Sequence, residues 1–290
     1  MIQSILLPID FSEHSIAAVK QAGALARRFH SYLTLLHVSE FPPVQPLAGP
    51  LGFGISSPET ARAEHLKRQQ KQLNEFGATE LDGISVKRIV CCGDPAKSIV
   101  QRAQDIKADL ILMSTHGRGA FRRFLLGSVT AKVLHDADCP VWTSCHLAPG
   151  CGRPVVDFRK VMCAMSFGHQ GVKTIRWAAE FAGQFGARLV VVHSVLDHPP
   201  SLPDRFMFQW REQARWGAED RIRTLLLDLG IQADVLIVSD GDVAGSVGTA
   251  ARDQDAGLLV IGRTSAGPNR RLGSHTYSLI CNAPCPVVSI

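Results

Sequence analysis

The sequence of 290 residues predicts an α/β fold made of two tandem open parallel sheets, each covered by helices. Two observations carry this. Short apolar runs alternate with helix-length stretches, and the whole series occurs twice, each copy closing on Cys-Pro-Val at Cys139 and again at Cys285.

In the first copy the runs 5–9, 33–38, 86–91, 110–114 and 140–143 are too short for helices and rich in Ile, Leu and Val, as strands buried on both faces should be. Ile16, Val19, Ala22, Ala26 and Phe29 mark one face of a first helix. Ser57-Pro58-Glu59 supplies an N-cap followed by proline at the first helical position, and Gly77 closes that helix. Asp94-Pro95 repeats the device before Ile99, Ala103 and Ile106. The second copy predicts helices over 170–186, over 204–229 up to Gly230, and after Asp242. This βαβα order implies right-handed crossovers. The Pro- and Gly-rich stretch 41–57 reads as a surface connector above the sheet.

The repeat is dense. Ile5–Phe11 aligns with Val161–Phe167, Leu33–Val38 with Leu189–Ser194, Gly93-Asp94 with Gly241-Asp242, and 109–142 with 257–288. The offset shortens in small steps, as duplication followed by loop deletions would leave it. Two copies make a tandem of domains and not a solenoid. The boundaries are set at 1–146 and 158–290, with 147–157 as a linker broken by Pro149-Gly150 and Gly152-Arg153-Pro154.

Composition narrows the classes. Hydrophobic residues make up 46% and charged residues 20%, which suits packed cores in a soluble protein. No apolar run reaches the roughly 18–20 residues of a membrane span, and Ile5-Leu6-Leu7-Pro8 reads as a strand and not a signal peptide. A net charge of +5 with no aromatic-rich basic stripe argues against nucleic acid. The eight cysteines show no C-x-x-C spacing and several sit inside apolar strands, so they read as thiols in a reducing cytoplasm. Neither a membrane nor a nucleic-acid partner is expected.

Open parallel sheets bind ligands beyond the carboxyl ends of their strands, where strand order reverses. Three first-half segments end there: Pro8-Ile9-Asp10, His37-Val38, and Met113-Ser114, the last opening into Thr115-His116-Gly117-Arg118. Nine residues after Gly117 come Gly127-Ser128, where a helix starts. Gly117 lets backbone amides approach an anion, and a helix N-terminus offers unpaired N–H groups and the positive end of its dipole. The Ser128 hydroxyl either caps that helix or donates to a phosphate. Asp10 suits a ribose or adenine donor. His116 reads as a polar loop residue. Arg118, Arg122 and Arg123 either help with charge or form a solvated loop face.

With Asp10, His37-Val38, Cys92-Gly93-Asp94-Pro95, Ser114-x2-Gly117-x9-Gly127-Ser128 and the closing Cys-Pro-Val in place, the chain resembles a tandem universal stress protein. The nucleotide-binding members of that family carry Gly-x2-Gly-x9-Gly-Ser/Thr, and here Ser114 stands for the first glycine. The resemblance implies Rossmann-like, adenine nucleotide alpha hydrolase-like domains in both halves, and a role in stress response or signalling. It implies ATP or a related adenine nucleotide in the first half, with Mg2+ or Mn2+ held through the phosphates. Asp10 would contact the nucleoside beside Pro8, and Val38 would hold adenine through its backbone. Met113, Ser114, His116 and Gly117 would line the phosphate path, and Gly127, Ser128, Val129 and Thr130 would receive the phosphates. The closing strands resemble those through which single-domain relatives pair, which implies a pseudo-dimer within the chain; a homodimer of the whole chain and an unidentified protein partner stay open.

The motif is no P-loop, because no Gly-Lys-Ser/Thr is present. No nucleophile, base and orienting group stand out, so binding is favoured over turnover. In the second half Ser166 replaces Asp10, Ser265 replaces Gly117, Val243 replaces Pro95, and only seven residues, with Pro268 among them, precede Gly273-Ser274. Gly262 there matches Ser114 and restores the family glycine. The second half is therefore expected to be a scaffold or partner surface. Two further readings stand beside nucleotide binding: an interaction protein without nucleotide, and a slow ATPase.

Overall fold

A computed structural model describes residues 2–39, 58–114, 126–144, 158–195, 207–239, 242–263 and 273–290. The first half runs β1 (Ser4–Pro8), α1 (Glu13–Phe29), β2 (Tyr32–Ser39), α2 (Pro58–Glu75), β3 (Val86–Cys92), α3 (Pro95–Asp105), β4 (Leu110–Met113), α4 (Ser128–Asp136) and β5 (Val141–Thr143). The second repeats it as β6 (Lys160–Ala164), α5 (His169–Phe185), β7 (Arg188–Val195), α6 (Met207–Leu229), β8 (Asp234–Ser239), α7 (Val243–Asp253), β9 (Leu258–Ile261), α8 (Ser274–Asn282) and β10 (Val287–Ser289). The stretch 41–57, the linker 147–157, His116, Gly117, Arg118, Arg122 and Arg123 lie outside the described residues.

The ten strands form one sheet in the order β3-β2-β1-β4-β5-β10-β9-β6-β7-β8. Every pairing is parallel except the central one, where β5 and β10 run antiparallel with Trp142 opposite Val288. Val141 faces Ser289 and Thr143 faces Val287, so the register is symmetric about the Trp142–Val288 pair. The Thr143 hydroxyl donates to the Val287 carbonyl (3.2 Å) and the Ser289 hydroxyl to the Val141 carbonyl (3.4 Å). The intrachain pseudo-dimer is thus built through the closing strands.

Strand alternation divides the core between the two faces. Ile5, Leu7, Leu33, Leu35, Leu110, Leu112 and Trp142 join one cluster with residues of α1, α2, α5 and α6. Leu6, Leu36, Ile111, Met113 and Val141 join the other with residues of α3, α4, α7 and α8. On the first face rings from both halves meet: Phe29 of α1 lies 5.6 Å from Phe185 and 6.1 Å from Phe181 of α5.

The helix ends follow the sequence. Asp94 caps α3 by accepting from the Lys97 N–H (2.9 Å), which holds its carboxyl below the usual range. Asp242 caps α7 through the Ala244 and Gly245 N–H groups. One assignment is corrected. Ile16 is 39% exposed, because it lies about 100° from the centre of the face formed by Val19, Ala22, Ala26 and Phe29 at ~100° per residue. Ser15, Ala18 and Leu25 fill the buried side in its place.

Among the described residues the six cysteines remain thiols. Burial pushes Cys139 up to about 11 and Cys163 up to about 12. No described helix is long and apolar enough to cross a membrane.

Candidate functional site

Strand order in the first half reverses between β1 and β4, both of which touch β5 or β2 on their outer sides. The carboxyl ends of β2, β1 and β4 therefore lie side by side, bringing Val38, Asp10 and Ser114 to one rim of the sheet.

Asp10 sits in the turn from β1 into α1 and organises it. Its Oδ1 accepts from the Ser12 N–H (3.0 Å), the Ser12 hydroxyl (2.6 Å) and the Ser15 hydroxyl (2.5 Å). Ser12 in turn caps α1 through the Ser15 N–H. Between them Phe11 adopts φ 61°, a left-handed conformation that is costly for a bulky side chain. Its ring is held by His37 at 4.4 Å and Phe76 at 5.4 Å. His37 Nδ1 also donates to the Ile9 carbonyl (2.7 Å), so β2 fixes the end of β1 directly.

Val38 offers backbone. Ile9 N–H donates to the Leu36 carbonyl and Gly93 N–H to the Ser39 carbonyl, so the polar groups of even-numbered residues on β2 turn toward β1. β1 ends its ladder with Pro8 opposite Leu36. The amide and carbonyl of Val38, two residues on, consequently face the space beyond β1, next to Asp10.

At the other side of the rim Gly127 is the N-cap of α4 and makes no side-chain cap bond. Ser128 is the first helical residue and is exposed, and the cap position itself falls on Gly127. The N–H groups of Ser128, Val129 and Thr130 belong to the first turn, which has no intrahelical acceptor. The Thr130 hydroxyl donates to the Ser114 carbonyl (3.1 Å), tying this turn to the end of β4 and leaving the N–H as what Thr130 can offer an anion. Met113 is buried in the core, with its carbonyl bonded to the Ser144 N–H. Its side chain therefore supports the rim from below and does not line it.

The same place in the second half lacks the acidic centre. Asp10, Ser12 and Ser15 are matched by Ser166, Gly168 and Gly171, so the carboxylate and both hydroxyls it gathers are gone together. Gly168 takes φ 115°, replacing the strained Phe11 turn. A Cβ on Gly171 would lie 1.9 Å from the Ser166 carbonyl oxygen, so the helix start has settled onto the strand end. Above Gly262 a Cβ would meet the Thr174 hydroxyl at 3.0 Å and Gln170 at 3.2 Å. The Gln170 amide donates to the Ile290 carbonyl (2.6 Å), which fixes it there. Gly262, which matches the family glycine, is thus packed closely against α5. α8 starts like α4, with Gly273 as an N-cap that makes no side-chain bond.

Gly171→Ala is expected to destabilise the chain by about 3 kcal/mol, since the clash is with backbone. Ser15→Ala at the matching first-half position meets no backbone clash and loses two hydrogen bonds of its hydroxyl, to Asp10 Oδ1 and from the Asp10 N–H, about 1–2 kcal/mol. Urea unfolding of both variants checks the order; equal losses would refute the tight contact at the start of α5.

Sequence reasoning missed Phe11, Ser12, Ser15, Gln170 and Thr174, whose roles depend on tertiary contact. The spacing Ser12-x-x-Ser15 after an aspartate was the one available signal. It also missed the pair Ser39–His65 (2.8 Å), which ties α2 to the end of β2.

Comparison with known proteins agrees with this architecture. The model of the universal stress protein family matches residues 1–144 and 157–290. A universal stress protein of Thermus aquaticus is 37% identical over 142 residues, 49% of this chain and 97% of that protein. One of Methanocaldococcus jannaschii is 32% identical over 141 residues, 48% of this chain and 79% of that protein. The crystal structure of a universal stress protein from Archaeoglobus fulgidus superimposes with a TM-score of 0.71 at 22% identity, covering 99% of this chain and 95% of that one. That likeness extends the shared fold over both halves. With the family model matching twice, once on each half of a single sheet, the chain belongs to the universal stress protein family.

Proposed function

We propose that the chain is a stress-response or signalling protein that binds one adenine nucleotide, ATP or a relative, in its first half, and that its second half serves as scaffold or partner surface. The observation that carries this is the contrast between equivalent rims. The first brings Asp10, the backbone of Val38 and the end of β4 to one rim, with the exposed Ser128 opening α4, which Thr130 ties to the end of β4. The second has Ser166, Gly168 and Gly171 in place of Asp10 and the two serines it gathers.

In this reading Asp10 accepts from the nucleoside, with Pro8 beside it, and Val38 pairs with the base through its amide and carbonyl. The N–H groups of Ser128, Val129 and Thr130, together with the Ser128 hydroxyl, take the phosphates at the positive end of α4. His116 and Gly117 would complete the loop. A divalent ion would enter with the phosphates. The six thiols suit a reducing cytoplasm.

Calorimetric titration of ATP into the full chain tests this. One site per chain is the expected result. Two equivalent sites would refute the asymmetry, and no heat from folded protein would refute nucleotide binding.

A further inference from the structure

We propose that Tyr277 and Arg263, both from the second half, are positioning residues for the first-half site: they hold α4 at its two ends. The inference rests on the nucleotide reading above, and adds to it a means by which the second half acts on a site it does not line.

At the start of α4, the Tyr277 hydroxyl of α8 accepts from the Leu126 N–H at 3.1 Å. Leu126 directly precedes Gly127, and its side chain is buried in the same cluster as Leu279, Ile280 and Cys281 of α8. At the far end, one Arg263 guanidinium donates to the carbonyls of Leu134 (3.1 Å), Ala137 (2.8 Å) and Cys139 (2.7 Å). Helix C-termini leave carbonyls without intrahelical donors, and a cation there also complements the dipole. The Arg263 backbone is itself fixed, its N–H donating to the Ile290 carbonyl.

The arrangement runs one way at these positions. The matching first-half residues are Ala131 for Tyr277 and Thr115 for Arg263, and neither carries a phenol or a guanidinium. α4 is nine residues long, so two ties bracket it almost completely. Its first turn is what a phosphate would meet. A small tilt of that turn would move three N–H groups together, while the Asp10 and Val38 end of the rim, carried on β1 and β2, would stay where it is. The Tyr277 hydroxyl should therefore matter to the phosphates and not to the nucleoside.

The test compares ATP and adenosine binding by the full chain as wild type and as Tyr277→Phe, with amide hydrogen exchange over 126–130 in the absence of ligand. The substitution keeps the ring and leaves the Leu126 N–H only the Cys281 sulfur, a weak acceptor. Loss of one such hydrogen bond predicts ATP affinity lower by about tenfold, with adenosine affinity unchanged and exchange over 126–130 faster. Arg263→Met should shift the ATP-to-adenosine ratio in the same direction. An unchanged ratio in Tyr277→Phe, with wild type binding ATP, overturns the proposal. Wild type that takes up no ATP refutes the nucleotide reading instead, and exchange then decides the positioning alone: faster in Tyr277→Phe sustains it, equal rates overturn it.

Discussion

Phe181→Ala is expected to remove about 3–5 kcal/mol of stability, the largest loss from any single truncation considered for this chain. The ring is fully buried and lies 4.8 Å from Phe185, 5.2 Å from Phe158 and Trp177, and 6.0 Å from Trp142. Phe29 reaches it from the first half at 6.1 Å. Removing it leaves a cavity beside the antiparallel seam that joins the halves, and close packing prevents neighbours from filling it. Because rings from both halves share the cluster and one sheet runs through them, both should lose stability together. Urea unfolding followed by tryptophan fluorescence and far-ultraviolet circular dichroism is the measurement. A loss under about 1 kcal/mol, or a shift in only one of two separate transitions, would sink the expectation.

Asp10→Ala should have the largest effect on ligand. On the proposed reading, in which Asp10 accepts from the nucleoside, removing this charged acceptor is expected to lower ATP affinity by about 100-fold, or roughly 3 kcal/mol. The same change strands the hydroxyls of Ser12 and Ser15, so thermal stability should fall as well. Ser15→Ala separates the two roles. It removes a donor to Oδ1 while leaving the carboxylate, and should weaken ATP far less than Asp10→Ala does. Equal losses in the two variants, or full affinity in Asp10→Ala, would show that the carboxylate orders the turn without meeting the ligand.

Much of the fold could be read from the chain because its signals are local. The runs around Leu6, Leu35 and Ile111 are apolar on both faces, and Asp94 and Asp242 announce helix starts by side-chain chemistry that acts within three residues. The pairing of the closing strands was expected from the resemblance to single-domain relatives and not from any local signal. The exposed position of Ile16 was less accessible, since an isoleucine at the margin of a helical face looks the same in sequence whether or not a neighbour covers it. The site divided in the same way. Asp10, Val38, Gly127 and Ser128 could be nominated from strand ends and a helix start. The loss of the acidic centre in the second copy was legible too, since Ser166 stands at the Asp10 position, whereas the tight start of α5 at Gly171 was not. Tyr277 and Arg263 act across more than 120 residues of sequence, where no periodicity reports contact.

The antiparallel meeting of β5 with β10 has one more consequence. When two identical chains pair through a two-fold seam, every substitution appears twice, and a change that improves one side as a support spoils the other as a receptor. Here the seam joins two unlike stretches of one chain, so each change is made once. Ser166 can stand where the first half has Asp10, and Tyr277 where it has Ala131, without either residue being copied into the other half. The covalent link also keeps the pair together at any dilution.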